Sequence, residues 1–330
     1  MAPQYIQRSM VDTMVCLILT LTINPAIDRN VTADRLVFED RAYILSTNES
    51  AGGRGINAAS VIHAFGGKTL AILTSGGKSG ERLEALVRAY GFPVEIVPIR
   101  NEIRTNLTIT DKQGLTVKLN EAGPPMDKRE LQRLEKATVK RLDKAQWLML
   151  CGSIPPDVPP DFYARLVETA RKKNVRTVLD TDGDALLLGT EAKPTVVHVN
   201  QGEGERLLDA ALLTRAHFFD AVGKIRTLGA ESVILSLGSR GAIGANGKST
   251  FEALPPRIDA VCPIGAGDAL AAAFTWAMVR SDDFDDAVRW GVAAGTASAK
   301  LPGVSFASLE QTEQVYKLVE MRPVSSRVPQ

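Results

Sequence analysis

Gly265-Ala266-Gly267-Asp268, followed at once by the small-residue stretch Ala269 to Phe274, is the part of this chain best suited to chemistry. Two glycines around one small residue let backbone N–H groups turn toward a single point. A helix beginning there adds partial positive charge at the same place. That combination, over Gly265, Ala266 and Gly267, suits the charge on a phosphoryl group in transit. Asp268, at the mouth of the helix, is placed to accept the proton of an attacking hydroxyl. A carboxylate with a pKa near ~4 cannot strip an alcohol beforehand, so it takes the proton late, as the oxygen bonds to phosphorus. The same four residues also suit an ordinary helix start, because Asp caps helices and Gly is common in turns.

A second glycine-rich run, Gly52-Gly53-Arg54-Gly55-Ile56-Asn57-Ala58-Ala59, opens another small-residue helix. Through Gly53, Gly55 and Ala58 it also fits a loose dinucleotide-binding pattern. That pattern needs a strand directly before it and an acidic residue ~20 positions on. Here the preceding residues are polar (Ser46-Thr47-Asn48-Glu49-Ser50) and the zone near Leu73-Thr74 carries no acid, so the pattern fails. A Walker A loop fails too: Gly77-Lys78-Ser79 and Gly247-Lys248-Ser249 each lack the glycine five positions earlier. His63, His198 and His217 form no metal-binding spacing, and His198 reads as a strand residue rather than a ligand.

These residues need a scaffold, and the 330 residues offer one. With 45% hydrophobic and 23% charged residues, the composition is that of a soluble globular protein. A net charge of +1 argues against a nucleic-acid or membrane surface. Three scattered cysteines without a CxxC pair fit a reducing cytosol and no zinc site. The apolar run from Val15 to Ile23 is too short to span a bilayer and reads as a buried first strand. Residues 1–13 read as a flexible extension, with Met14 as an alternative start, and 321–330 as a flexible tail.

Between those ends, apolar runs alternate with amphipathic stretches. Strands are expected around Leu70–Leu73, Trp147–Leu150, Thr177–Leu179, Val196–Val199 and Val233–Leu235; helices over Gly80–Tyr90, Lys128–Leu142, Asp161–Lys173 and Thr214–Leu228. This order predicts an α/β fold with a doubly wound, mostly parallel sheet flanked by helices. Two segments depart from it, the polar Arg41 to Ser50 and the hairpin Arg104 to Glu121, which turns at Asp111-Lys112-Gln113-Gly114. They are expected to build a small β-sheet lid, near 29–50 and 104–122, with one face covered, on a single domain spanning 14–320.

Six motifs stand in a fixed order: Asn24-Pro25-Ala26-Ile27-Asp28, Gly52 to Asn57, Gly152-Ser153-Ile154-Pro155-Pro156, Asn200-Gln201-Gly202-Glu203, Ser236 to Gly241, and the Gly-Ala-Gly-Asp run. From about Val15 to Val319 the chain resembles the ribokinase-like carbohydrate kinases of the phosphofructokinase-B branch. The resemblance implies ATP and Mg2+ as cofactors and Asp268 as catalytic base over the Gly265–Gly267 hole. It also implies sugar contacts from Asp28, Gly53 and Asn57. Asn200 and Glu203 would attend the phosphate end of the nucleotide, Glu203 reaching the metal only indirectly. Ser236, Leu237, Gly238, Ser239, Arg240 and Gly241 would run under ATP, with the helix around Ala293 and Ala294 near adenine. Arg41 and Arg104 match phosphate-binding positions of the hexose-phosphate branch. The implied reaction converts fructose 1-phosphate to fructose 1,6-bisphosphate, with 6-phosphofructokinase, tagatose-6-phosphate kinase or a non-catalytic sugar-phosphate sensor as alternatives. A homodimer through the lid is implied as well. The chain departs from relatives at His198 and Gly202, where lysine is frequent, at Arg54 and Ala269, and at Tyr43, where some carry an arginine.

Overall fold

The computed structural model describes residues 16–37 and 39–323. The chain opens with β1 (Leu17–Thr22), β2 (Ala26–Ala33), β3 (Ile44–Gly52), α1 (Arg54–Ala64), β4 (Lys68–Ser75), α2 (Gly77–Arg88), β5 (Val94–Pro98), β6 (Arg104–Asp111) and β7 (Thr116–Asn120). Next come α3 (Lys128–Leu142), β8 (Ala145–Cys151), α4 (Phe162–Lys172), β9 (Arg176–Asp180), α5 (Gly183–Glu191), β10 (Val196–Asn200), α6 (Gln201–Leu208), α7 (Arg215–Leu228) and β11 (Ser232–Ser236). After a 3-10 turn at Gly238–Arg240 follow β12 (Ala242–Ala245), β13 (Thr250–Leu254), α8 (Ala266–Ser281), α9 (Phe284–Ala299), α10 (Leu309–Tyr316) and β14 (Glu320–Pro323).

The main sheet has the order β14-β13-β12-β11-β10-β9-β8-β1-β4-β5. From β5 to β11 all neighbours run parallel. Period-two alternation sends Leu19, Leu21, Leu148 and Leu150 into the core on one face. Ile18, Trp147 and Met149 point to the other face, where α8 and α9 pack. The expected doubly wound sheet is therefore present, with one difference at its edge. The parallel set ends at β11, and β12, β13 and β14 add antiparallel strands. The five-residue connection 237–241 after β11 leaves no room for the helical crossover that a parallel neighbour requires. Residues Met321–Pro323, expected in a loose tail, pair in β14 instead; 324–330 and the expected extension 1–13 lie outside the described residues.

A separate four-stranded sheet, β3-β2-β6-β7, forms the lid. Its central pair β2 and β6 is parallel and both outer pairs are antiparallel. The lid spans Ala26–Gly52 and Arg104–Asn120, close to the expected segments. Its apolar face is covered only in part: Val31 and Ala33 are buried, while Ile44, Leu115 and Leu119 are 63%, 57% and 55% exposed.

Candidate active site

The site lies outside the carboxyl ends of the parallel strands, where open α/β sheets bind ligands. The strand order reverses at β1, with β4 and β5 on one side and β8 onward on the other. A cavity of about 1050 Å³ opens here, lined by residues from α1, β9, β10, α6, α8 and α9 and by the loop 255–260. It is large enough for two small molecules side by side.

Strand register builds its charged floor. Val178 and Val196 pack into the core on the α8 side, and a period of two puts Asp180 and His198 on that same face. Val196 pairs with Val178 and Val197 with Leu179, so one step further along the ladder His198 stands beside Asp180. The His198 Nδ1 to Asp180 Oδ2 distance is 3.1 Å. Arg54, at the start of α1, donates to Asp180 Oδ1 at 2.7 Å, Asp182 Oδ2 at 3.2 Å and Glu203 Oε1 at 3.0 Å. Glu203 Oε2 accepts from the Asn200 N–H at 2.9 Å, and Asn200 Oδ1 accepts from the Glu203 N–H at 2.9 Å. This reciprocal capping box fixes the entry of α6.

Asp268 sits in the first turn of α8, on the cavity wall and only partly exposed. Gly265 precedes that helix with φ 82°, a left-handed conformation that glycine adopts without strain. No side chain caps the helix. The Ala266 N–H is used in a turn onto Pro263 O at 3.2 Å. Gly267 and Asp268 lie within the first turn, whose N–H groups have no intrahelical acceptors. Asn57 Nδ2 donates to Asp268 Oδ2 at 2.6 Å and links the two glycine-rich runs across the cleft.

At the lid end, Asn106 Nδ2 donates to Asp28 Oδ1 at 2.8 Å. Gly53 has φ 132°, and a Cβ there would lie 2.6 Å from Thr22 Cγ2, so only glycine fits this entry to α1. Lys118 on β7 reaches the cavity wall.

Of the expected positions, the structure lines the cavity with Asn200, Glu203, Ser236, Gly238, Ser239, Gly241 and Gly265 to Asp268. Others fall elsewhere. Leu237 packs against the core, and Arg240 donates to Gln201 and stacks on Phe218. Ala293 and Ala294 are buried in the core; Val292, Gly295, Thr296 and Ala299, one helical face round, line the cavity. Arg41 is exposed and does not line the cavity. Arg104 donates to the carbonyls of Asn24 and Glu121, which fastens the lid to the sheet. The sequence reading missed Asp180, Asp182 and Lys118 and dismissed His198. An acid closing the buried strand Thr177-Val178-Leu179 was the available signal for Asp180.

Residues 17–312 match the description "pfkB family carbohydrate kinase". The chain belongs to that family. It is 28% identical over 302 residues to the ATP-dependent 6-phosphofructokinase isozyme 2 of Escherichia coli strain K12, covering 91% of this chain and 97% of that enzyme. With the 1-phosphofructokinase of Borreliella burgdorferi it shares 30% over 284 residues, covering 86% and 92%. The crystal structure of E. coli phosphofructokinase-2 in complex with fructose-6-phosphate superimposes with a TM-score of 0.85 at 28% identity, over 92% of this chain and 99% of that one.

In this pfkB-family kinase the electrostatics separate two neighbouring carboxyls. Burial and the adjacent Asp180 raise the pKa of Asp268 to about 6, against the Asn57 hydrogen bond, Arg54 and His198, which lower it. For Asp180, burial would also raise the pKa, but Arg54 and then His198 outweigh it and bring it to about 2. Asp180 therefore stays ionised while Asp268 can exchange a proton near neutral pH. Asp28 is raised by burial, against Asn106, Arg104 and Lys118.

Replacing Asp268 by Asn should lower turnover at least ~100-fold and leave ATP binding largely intact, read by steady-state kinetics and calorimetry. A raised carboxyl pKa means that the basic form disappears as pH falls through it. kcat/KM of the wild type should accordingly drop below pH about 6, well above the ~4 of an ordinary carboxylate. A profile flat down to pH 5 excludes Asp268 as the base.

Proposed function

We propose that this kinase transfers the γ-phosphoryl group of ATP to a hexose phosphate, with fructose 1-phosphate as acceptor and fructose 1,6-bisphosphate as product. One observation carries the reading: Asn57 holds the Asp268 carboxylate 2.6 Å away, at the first turn of α8, inside a cavity large enough for nucleotide and sugar together. The acceptor hydroxyl attacks phosphorus in line while the bond to the ADP oxygen breaks, and its proton passes to Asp268. Amides of the first turn take up the charge on the transferring oxygens. Asp28, held by Asn106, and Asn57 orient the sugar, and Lys118 with Arg104 supplies positive charge toward its phosphate. The intact base favours this reading over a silent sensor.

Magnesium belongs to this reading as a companion of ATP. Among the described residues no group of three or more His, Cys, Asp or Glu is arranged to hold a metal. Both oxygens of Glu203 are engaged, by Arg54 and by the Asn200 N–H. The described residues thus offer no metal shell of their own, and the ion would arrive on the nucleotide phosphates. The scattered cysteines without a CxxC pair support a cytoplasmic setting; no described helix is long and apolar enough to cross a membrane.

The uncovered lid supports a homodimer. Val31, Leu36, Tyr43, Ile44, Leu107 and Ile109 line a groove of about 310 Å³ on it, next to exposed Leu45. An apolar face of this kind on a folded protein marks an interaction surface. A crystal structure of E. coli phosphofructokinase-2 records a tetrameric inhibited form, so assembly occurs in a relative.

ADP release with fructose 1-phosphate, fructose 6-phosphate and tagatose 6-phosphate tests the substrate. The highest kcat/KM is expected with fructose 1-phosphate, and a preference of tenfold or more for either other sugar overturns that choice. Replacing both Ile44 and Leu119 by Lys should shift the mass from dimer to monomer in light scattering. A wild-type monomer at micromolar concentration would end the dimer reading.

A further inference from the structure

Four chain crossings join the lid to the main sheet (β1 to β2, β3 to α1, β5 to β6 and β7 to α3), and all four meet beside Asn24. This residue stands beyond the carboxyl end of β1 and is buried, 4% exposed. Its Nδ2 donates to Ala122 O at 2.9 Å, on the segment leaving β7, and to Ser153 Oγ at 3.3 Å, in the loop after β8. Ala122 O can only accept, which settles the end of the amide that faces it. The Asn24 carbonyl accepts from Arg104 Nη2 at 3.0 Å, where the chain enters β6. Arg104 Nη1 reaches Glu121 O at 2.8 Å, and Glu121 Oε2 accepts from the Thr105 N–H at 2.9 Å. The return from β3 to α1 passes at Gly53, where a Cβ would lie 2.6 Å from Thr22 Cγ2 and 3.6 Å from Pro25 Cα.

The exit from the lid is the tightest of these contacts. Gly123 has φ 101°, and a Cβ there would lie 2.1 Å from Asn24 Oδ1, an approach that only glycine allows. From this knot the geometry runs outward along paired strands. Ala26 pairs with Arg104 and Asp28 with Asn106, whose Nδ2 holds Asp28 Oδ1. Strands in register move together, so a tilt of the lid at Asn24 shifts Asp28 and Lys118 relative to Asp268. Asn24 itself does not line the cavity. We propose that Asn24 is a positioning residue for phosphoryl transfer: its side-chain amide sets the angle of the lid over the cavity. With that angle held, the acceptor hydroxyl meets phosphorus and bulk water stays out. The role rests on the phosphoryl-transfer reading and is exerted through the lid, not by touching a ligand.

Three variants test it. Asn24→Asp keeps the shape of the side chain but turns an acceptor toward Ala122 O. Gly123→Ala crowds the same amide from the other side, and Asn24→Ser removes its reach. Each is compared with wild type on the sugar phosphate that the wild type turns over fastest, with ADP and phosphorylated sugar counted separately. kcat/KM for the sugar phosphate should fall about tenfold to a hundredfold, the range for a reacting group misplaced by about 1 Å. KM for ATP should stay within about twofold, because the nucleotide side of the cavity is built on α6, α8 and α9 rather than on the lid. ADP should outrun phosphorylated sugar by about twofold or more, against a wild-type ratio of about one, as water enters beneath a lid that no longer seats. Folded variants with a one-to-one ratio and an unchanged KM for the sugar phosphate overturn the proposal. So does an equal rise in KM for both substrates, or failure of all three variants to fold by circular dichroism, since either makes Asn24 a structural residue only. A wild type that releases no ADP with any sugar phosphate defeats the phosphoryl-transfer reading itself. A wrong choice of sugar leaves the comparison as it stands.

Discussion

A buried carboxylate, Asp180, organises the site. An ionised acid removed from water is tolerable only when paired and hydrogen-bonded. Arg54 takes one of its oxygens and His198 the other, so α1, β9 and β10 are tied at one point. Arg54 then extends to Glu203, whose capping box with Asn200 starts α6. Removing a partner from such a cluster leaves a charge stranded, at a cost of about 3–5 kcal/mol. The same cluster that holds four elements in register also sets the electrostatics at Asp268, whose pKa is high in part because Asp180 cannot be neutralised.

That coupling explains how one small region serves two chemical demands. Phosphoryl transfer needs fixed positive groups where charge accumulates and a base that stays unprotonated until late in the reaction. Positive character comes from the first turn of α8 and from Arg54, anchored on Asp180. Asp268, the next carboxyl over, is held by Asn57 and made less acidic by its surroundings. Glycine-rich turns make this geometry possible, because at Gly53 and Gly265 the backbone adopts conformations that side chains disfavour.

The lid follows another logic. Arg104 is spent on backbone carbonyls, so its first role is to fasten the lid to the main sheet. Alternation along β6 and β7 signals a two-faced sheet, but periodicity says nothing about what covers the apolar face. Within one chain, part of that face is buried at Val31 and Ala33 and the rest is left to solvent. The edge strands β12 to β14 escaped for a related reason. Short apolar runs look alike in parallel and antiparallel sheets, and only the length of the connection separates them.

The amino-acid sequence by itself determined the alternation of strands and helices, the lid hairpin and the family. Each rests on local information: hydrophobic period, turn chemistry and ordered motifs such as Gly265 to Asp268. Tertiary structure alone decided the rest. It brought Asp180 and His198, 18 positions apart, into contact through strand register, set Arg54 between three carboxylates, and turned Val292 and Gly295 rather than Ala293 and Ala294 toward the cavity. It also withdrew Leu237, Arg240 and Arg41 from the cavity wall. A side chain's charge state and direction depend on neighbours distant in the chain, and linear spacing carries no record of them.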